Sequence, residues 1–156
     1  MLRVDLRELR HGPVDVQAQV APGDPLLDGL KIDLVGPLEV GGRLQATGTG
    51  DYFWQARLRG AARSECRRCL APVPIVIAQD VGLLFSGDPD TQEGPDVYPI
   101  ADSAAHLELG QAVREEVALS VPGLPLCRED CAGLCPRCGA DLNAGPCACI
   151  AAAQSR

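Results

Sequence analysis

The chain has 156 residues, 46% hydrophobic but only 3% aromatic, so it can bury an aliphatic core and is not predominantly disordered. Its formal charge of −7 excludes nucleic-acid binding through the overall electric field, so any RNA contact needs a local basic patch. The N-terminal residues lack the apolar stretch of a secretory signal, and no stretch approaches the roughly 20 apolar residues of a membrane span. We therefore expect a cytoplasmic protein without membrane contact.

The first predicted elements are two strands joined at Gly41-Gly42. Apolar and polar residues alternate on both sides of this pair. Two glycines between alternating runs are typical of a two-residue hairpin turn, because both central residues need positive φ angles. The pattern predicts a β-hairpin over residues 31–49, followed by a second turn at 48–51.

Two further strands are predicted on either side of the first cysteine pair. Residues 52–65 and 73–85 both show the two-residue alternation of a strand with one buried face. Pro72 and Pro74 predict that the second strand begins at a sheet edge, because proline cannot donate a ladder hydrogen bond. The following segment, residues 86–102, is acidic and rich in proline and glycine, which predicts a solvated loop.

The strongest helical pattern lies at residues 107–121. Leu109, Val113 and Val117 recur at four-residue intervals, and Pro122 marks the end of the helix.

These elements predict an α+β fold with two parts. Residues 1–122 are expected to form an antiparallel β-sheet, or a partly closed barrel, with one main helix packed on it. Residues 123–156 are expected to form a cysteine-rich zinc-binding tail with a zinc knuckle, because they contain too few apolar residues to fold without a metal.

The eight cysteines fall into four close pairs and form the strongest functional signal. In a reducing cytoplasm such pairs are typical of metal sites, and a secreted protein with four disulfides is the alternative. Tetrahedral Zn²⁺ takes four thiolates, and a tight turn brings two of them together, so four pairs predict two zinc sites. The pairs are Cys66 with Cys69, Cys127 with Cys131, Cys135 with Cys138, and Cys147 with Cys149.

The C-terminal zinc site is the better defined of the two. Cys135-Pro-Arg-Cys138-Gly139 is typical of a zinc knuckle, because the glycine permits a left-handed backbone that turns amide groups toward the sulfurs. Cys147 and Cys149 return nine residues later and complete this site. The other predicted site then consists of the remaining four cysteines, Cys66, Cys69, Cys127 and Cys131.

Two other assignments of these cysteines stay open. Cys66 and Cys69 could form a free or redox-active pair, although such pairs normally begin a helix rather than join two strands. The spacing of Cys131, Cys135 and Cys138 also matches that of radical iron–sulfur enzymes, which need a large barrel beyond the motif. Because no nucleophile, phosphate-loop or paired-carboxylate motif is present, we expect a protein that is not an enzyme.

Five arginines cluster around the first cysteine pair, at positions 57, 59, 63, 67 and 68. Arginine binds phosphate through two parallel hydrogen bonds, and a nearby aromatic such as Phe53 can stack on a base. Arg57, Arg59 and Arg63 are therefore candidate RNA-binding residues, with a solvated strand face as the alternative. Arg67 and Arg68 could instead stabilise the neighbouring thiolates.

Three motifs carry a resemblance to a known family. They are Cys66-Arg-Arg-Cys69-Leu70 after a strand, an acidic helix that ends in Leu119-Ser-Val-Pro122, and the cysteine-rich segment from Cys127 through Asn143 to Cys149. Together, over roughly residues 30–149, they resemble the YceD family of large ribosomal RNA subunit accumulation proteins.

The resemblance implies a zinc-binding factor without catalytic activity that promotes accumulation of large-subunit ribosomal RNA. Its expected partners are ribosomal RNA or large-subunit assembly intermediates. The alternative is a zinc-stabilised protein-interaction or regulatory module that makes no direct RNA contact.

Overall fold

The computed structural model describes residues 2–91, 94–101 and 103–154, so Glu93 and Asp102 of the predicted acidic loop lie outside the described residues. Short 3-10 helices lie at Glu8–Arg10 and Pro25–Leu27. The strands and α-helices are β1 Arg3–Asp5, β2 Val14–Val20, β3 Asp33–Leu34, β4 Leu38–Gly48, β5 Asp51–Glu65, β6 Pro72–Ser86, β7 Val97–Pro99, β8 His106–Glu108, α1 Gly110–Ser120 and α2 Ala148–Gln154.

The main sheet has the strand order β2-β4-β5-β6-β7, and β3 pairs with the end of β5. A separate two-stranded sheet joins β1 to β8. Of the predicted α+β fold, a sheet with one main helix is confirmed, whereas the alternative of a partly closed barrel is not shown. Within the described ranges, the strand path of the main sheet runs from β2 to β7 without pairing these two ends.

Strand β7 departs from the predicted antiparallel sheet, because it pairs with β6 in parallel. It lies in the segment that was expected to be a loop throughout, so that expectation is wrong for residues 97–99. The segment forms a strand because of an apolar contact, which the acidic, proline- and glycine-rich composition of the segment did not indicate. The ring of Tyr98 stacks on that of Phe85, with centroids 5.3 Å apart, and holds the segment against the end of β6.

The predicted hairpin turn at Gly41-Gly42 is wrong, because β4 runs through both glycines without a break. Gly42 pairs with residues of β2 and β5, and a Cβ atom there would lie 2.3 Å from the carbonyl oxygen of Gln55 and 2.8 Å from the indole nitrogen of Trp54. Glycine is therefore needed at position 42 for close approach of the fully buried Trp54, and not for a positive φ angle. The turn expected at residues 48–51 does join β4 to β5.

Strands β5 and β6 form a long antiparallel hairpin, paired from Asp51 with Ser86 to Glu65 with Pro72. Its inner face is the centre of the core, where Leu58, Ile77 and Leu83 are at most 1% exposed. Full burial of each such side chain stabilises the fold by roughly 1.5–3 kcal/mol. The first cysteine pair lies at the tip of this well-supported hairpin.

Helix α1 packs against β6 and buries Val113 and Val117 completely. It begins three residues later than predicted because residues 106–108 pair with β1 as strand β8. After the helix, the chain returns to the hairpin tip, where the amide of Arg67 donates to the carbonyl of Pro125 at 2.9 Å. The helix thus positions the cysteine-rich segment beside the first cysteine pair. None of the helices in the described ranges has the length and hydrophobicity needed to cross a membrane.

Candidate metal centres

The eight cysteines form two clusters, and within each cluster all four sulfur atoms lie within 4.8 Å of one another. This grouping agrees with the predicted pairing. The first cluster contains Cys66, Cys69, Cys127 and Cys131, and the second contains Cys135, Cys138, Cys147 and Cys149. The first cluster takes two cysteines from each side of the predicted boundary at residue 122, and the division of the chain into two domains stays a prediction.

The turn that holds Cys66 and Cys69 is a tight knuckle with two backbone hydrogen bonds. The amide of Leu70 donates to the carbonyl of Cys66 at 2.9 Å, and the amide of Cys66 donates to the carbonyl of Ala71 at 2.8 Å. Leu70 has a φ angle of 62°, in the left-handed region that leucine rarely adopts. The turn therefore keeps both sulfurs on one side at the cost of backbone strain.

The knuckle of the second cluster repeats this geometry. The amide of Gly139 donates to the carbonyl of Cys135, and the amide of Cys135 donates to the carbonyl of Ala140, both at 2.8 Å. Gly139 has a φ angle of 73°, as the sequence pattern predicted for the residue after the second cysteine. The equivalent position of the first knuckle is Leu70.

The sulfur separations in the first cluster fit a tetrahedral metal ion. The Sγ atoms of Cys66 and Cys131 are 3.8 Å apart, and those of Cys69 and Cys127 are 3.6 Å apart. A zinc–sulfur distance of about 2.3 Å gives a tetrahedron with an edge of about 3.8 Å. A disulfide would need about 2.05 Å between the sulfurs. The donor set of four thiols is that of structural zinc sites and of some iron–sulfur sites.

Backbone amide groups favour the thiolate form of one cysteine in each knuckle. Burial raises the pKa of Cys66, but hydrogen bonds from the amides of Cys127, Cys69 and Arg68 outweigh burial and lower it to about 6. At Cys135, the amides of Cys138 and Arg137 lower the thiol pKa to about 6. Both cysteines can therefore ionise near neutral pH, as metal binding requires.

The same clusters oppose full ionisation of their other thiols. The hydrogen bond between Cys127 and the Cys69 thiol, together with burial, raises the pKa of Cys127 to about 12. Interaction with Cys138, together with burial, raises the pKa of Cys149 to about 11. Four thiolates this close repel one another, and a bound divalent cation would remove that penalty.

Two residues support the first cluster, Arg68, which the sequence suggested could stabilise the thiolates, and Asn143, to which the sequence analysis gave no functional role. The Arg68 guanidinium donates to the carbonyl of Cys131 at 2.8 Å, so it acts on the ligand segment through the backbone. The Asn143 amide donates to the sulfur of Cys131 at 3.5 Å. This hydrogen bond lowers the pKa of the Cys131 thiol, and its effect is larger than the opposing effect of burial. The signal for Asn143 was its position between Cys138 and Cys147, within the cysteine-rich motif.

The structure does not gather the three candidate RNA-binding arginines into one free cationic patch. Both side-chain oxygens of Asp80 accept from Arg59, at 2.8 and 2.7 Å, and Arg57 lies 3.7 Å from the same carboxylate. Arg63 lies four residues nearer the hairpin tip than Arg59, about 13 Å along an extended strand. It faces Asp33 across β3 and Pro74 across β6.

The ring of Phe53, the predicted stacking residue, lies over Gly82 of the neighbouring strand β6. A Cβ atom at Gly82 would be 2.8 Å from its ring, so the ring covers that glycine. Arg57 and Arg59 line an open groove of about 1300 Å³ on the same face of the sheet. The charged residues of the groove are balanced, with Asp15, Glu39 and Asp80 opposite in charge to Arg43, Arg57 and Arg59.

The fold and the clusters define a small, mostly β protein with two candidate metal centres. A family model described as "Large ribosomal RNA subunit accumulation protein YceD" matches residues 54–156, about two thirds of the chain. The chain belongs to the YceD family.

Similar proteins occur in mycobacteria and are described there as uncharacterized. One, from Mycobacterium tuberculosis, is 38% identical over 86 residues, which are 53% of this chain and 41% of the mycobacterial protein. Another, from Mycobacterium leprae, is 34% identical over 87 residues, covering 53% of this chain and 39% of its own length. The matched part of the chain thus spans about two fifths of these relatives. No solved structure matches this chain.

Proposed function

We propose that this chain is a non-enzymatic, cytoplasmic zinc protein that supports the accumulation of large-subunit ribosomal RNA. Membership of the YceD family supports the ribosomal role. The observation that carries the zinc assignment is the pair of four-sulfur clusters. In the first cluster, sulfur separations of 3.6 and 3.8 Å suit tetrahedral coordination. The proposed partners are ribosomal RNA or large-subunit assembly intermediates.

The composition of the clusters supports a structural role for the metal. Each cluster offers four cysteine sulfurs, and four protein ligands complete a tetrahedral zinc site without an open position for water or substrate. Cys66 and Cys69 lie within a set of four sulfurs, which favours metal binding over the alternative of an isolated redox pair. A zinc ion in the first cluster would tie the hairpin tip to the segment that follows α1.

Direct RNA contact through Arg57, Arg59 and Arg63 is part of the proposal, and we expect it to be weak. An RNA phosphate must displace the Asp80 carboxylate from Arg59, and the net charge of −7 repels a polyanion. Arg63 is exposed and forms no ion pair within the described part of the chain, so it is the most available of the three.

The test is binding of transcribed large-subunit ribosomal RNA fragments at several salt concentrations. Replacement of Arg57, Arg59 and Arg63 by serine should weaken binding and reduce the slope of log K against log salt by about 2, since each single-strand phosphate contact contributes about 0.7. The matched control replaces Arg3, Arg7 and Arg10, which removes the same charge at a different place. Equal binding by the two triple variants would contradict RNA contact through Arg57, Arg59 and Arg63.

A second candidate function is a protein-interaction module without RNA contact. The charge balance of the groove favours it, because a phosphate backbone prefers an excess of positive charge. If the parent chain binds no ribosomal RNA fragment in the same assay but still copurifies with large-subunit proteins, this second candidate replaces the first.

A further inference from the structure

We propose that Asn143, in the loop of the second cluster, positions Cys131 of the first cluster and makes metal binding at the two sites cooperative. This inference rests on the proposed metal binding and adds a coupling between the two sites that neither cluster shows by itself. Asn143 would act as a positioning residue, because it contacts a ligand residue and would not contact the metal.

One side chain spans both ends of the Cys131 residue. The side-chain amide of Asn143 donates to the Cys131 sulfur at 3.5 Å, and its carbonyl oxygen accepts from the amide of Ala132 at 2.8 Å. The same oxygen accepts from the Arg128 guanidinium at 2.8 Å. Asn143 thus fixes both the thiol and the backbone that follows it, which is how residues around a metal site orient its ligands.

The position of Asn143 depends on the loop that the second cluster closes. Asn143 lies between Cys138 and Cys147 in the sequence. Its own amide and its side-chain amide both donate to the Asp141 carboxylate at 2.9 Å, and the amide of Leu142 donates to the carbonyl of Gly133 at 2.9 Å. The segment has no buried apolar side chain of its own among the described residues 139–150. Coordination at the second cluster would therefore supply most of its order.

The segment between the clusters is packed against the hairpin tip. The amide of Leu134 donates to the carbonyl of Arg68 at 3.1 Å, and a Cβ atom at Gly133 would lie 3.1 Å from that same oxygen. Gly133 has a φ angle of 78°, in the left-handed region that favours glycine. Both this backbone angle and the close approach to Arg68 therefore require glycine in the turn that joins Cys131 to Cys135. A change in the second loop is therefore transmitted directly to the first cluster.

Coupling of this kind is reciprocal, so metal at either site should raise the affinity of the other by the same factor. Loss of a residue that orients a metal ligand typically weakens metal affinity 10–100-fold. We therefore expect Asn143→Ala to weaken zinc at the first site about 10-fold or more without changing any cysteine.

The test is a double-mutant cycle on the full chain, read by competition for zinc with a chromophoric chelator. Asn143→Ala and Cys147→Ser should each weaken zinc at the first site about 10-fold or more, and the double variant should show little further loss. Asn143→Asp, which keeps the acceptor but directs a carboxylate at the thiol, should weaken the site at least as much as alanine. Gln45→Ala removes an exposed amide on β4 and serves as the control.

A second readout separates positioning from general destabilisation. In protein loaded with ¹¹³Cd, Asn143→Ala should shift the resonance of the first site while the resonance of the second site stays in place. If the parent chain binds two metal ions and Asn143→Ala retains first-site affinity within about twofold, the coupling is wrong and the metal assignment stands. If the parent chain binds no metal, the proposed function itself fails.

Discussion

The two cysteine knuckles share a backbone turn but connect very different parts of the chain. In both, the amide four residues after the first cysteine donates to that cysteine's carbonyl, from Leu70 in one knuckle and from Gly139 in the other. The first knuckle joins segments 58 residues apart, from Cys69 to Cys127. The second closes a loop of nine residues, from Cys138 to Cys147. Similar local geometry therefore serves a long-range crosslink in one cluster and a local loop in the other.

The two clusters also differ in their burial. Cys66 and Cys131 are 0% and 2% exposed and belong to the main core, so the first cluster is continuous with the sheet. In the second cluster Cys138 is exposed and only Cys135 is buried. The first cluster is therefore part of the fold of the sheet, whereas the second closes its own loop, from which Asn143 contacts the first cluster.

The largest expected difference is between Cys66→Ser and Cys135→Ser. The chain-entropy relation for crosslinks gives about 4 kcal/mol for a 58-residue loop and about 2.5 kcal/mol for a nine-residue loop. Cys66→Ser also leaves a hydroxyl group at a fully buried position. Urea unfolding of zinc-loaded protein should therefore show a larger loss of unfolding free energy for Cys66→Ser. Equal losses would mean that the two clusters play equal parts in the fold.

An intermediate effect is expected from the two arginines between Cys66 and Cys69. Arg68→Ala removes the hydrogen bond to the Cys131 carbonyl and should lower the free energy of unfolding by about 1–2 kcal/mol. Arg67→Ala is the matched control, because its exposed side chain makes no hydrogen bond or ion pair within the described ranges. Thermal unfolding of both variants measures the difference. A larger loss for Arg67→Ala would contradict the assigned role of Arg68.

The smallest effects are expected at the residue that follows each knuckle. Gly139→Ala should cost about 1 kcal/mol through its φ angle of 73° alone, because nothing lies within 4 Å of the added Cβ atom. Leu70→Gly relieves a similar strain at a side chain that is 60% exposed, and the greater freedom of the unfolded glycine chain offsets the gain. Chemical unfolding should therefore place Leu70→Gly within about 0.5 kcal/mol of the parent. A loss of several kcal/mol would show that Leu70 makes an essential contact.

The long hairpin and the cysteine groups could be predicted from the sequence because each depends on a short-range pattern. Alternation over residues 52–65 and 73–85 matches β5 and β6, and close cysteine spacing anticipated both clusters. Prediction failed at Gly42, where glycine is needed because a side chain would clash with the Trp54 ring on the neighbouring strand. It failed again at β7, whose pairing depends on the contact between Tyr98 and Phe85. Such contacts join distant residues and leave no local pattern.

The charge pairing of the candidate RNA-binding residues also depends on contacts between residues that are distant in the sequence. Sequence proximity suggested a basic patch, but Asp80 lies across from Arg57 on β6 and accepts from Arg59 as well. The register between two strands decides whether neighbouring arginines are free or paired with carboxylates. This register could not be predicted from the sequence.

The central claim is that the eight cysteines hold two metal ions in the pairing seen here, and metal analysis of the purified chain tests it most directly. Elemental analysis combined with native mass spectrometry should find two zinc ions per chain in the parent. Two cluster-disrupting variants, Cys66→Ser with Cys69→Ser and Cys135→Ser with Cys138→Ser, should each retain close to one, with weaker binding where the coupling through Asn143 is lost. Iron with visible absorbance, or a single zinc ion in the parent that survives loss of Cys66 and Cys69, would contradict the account.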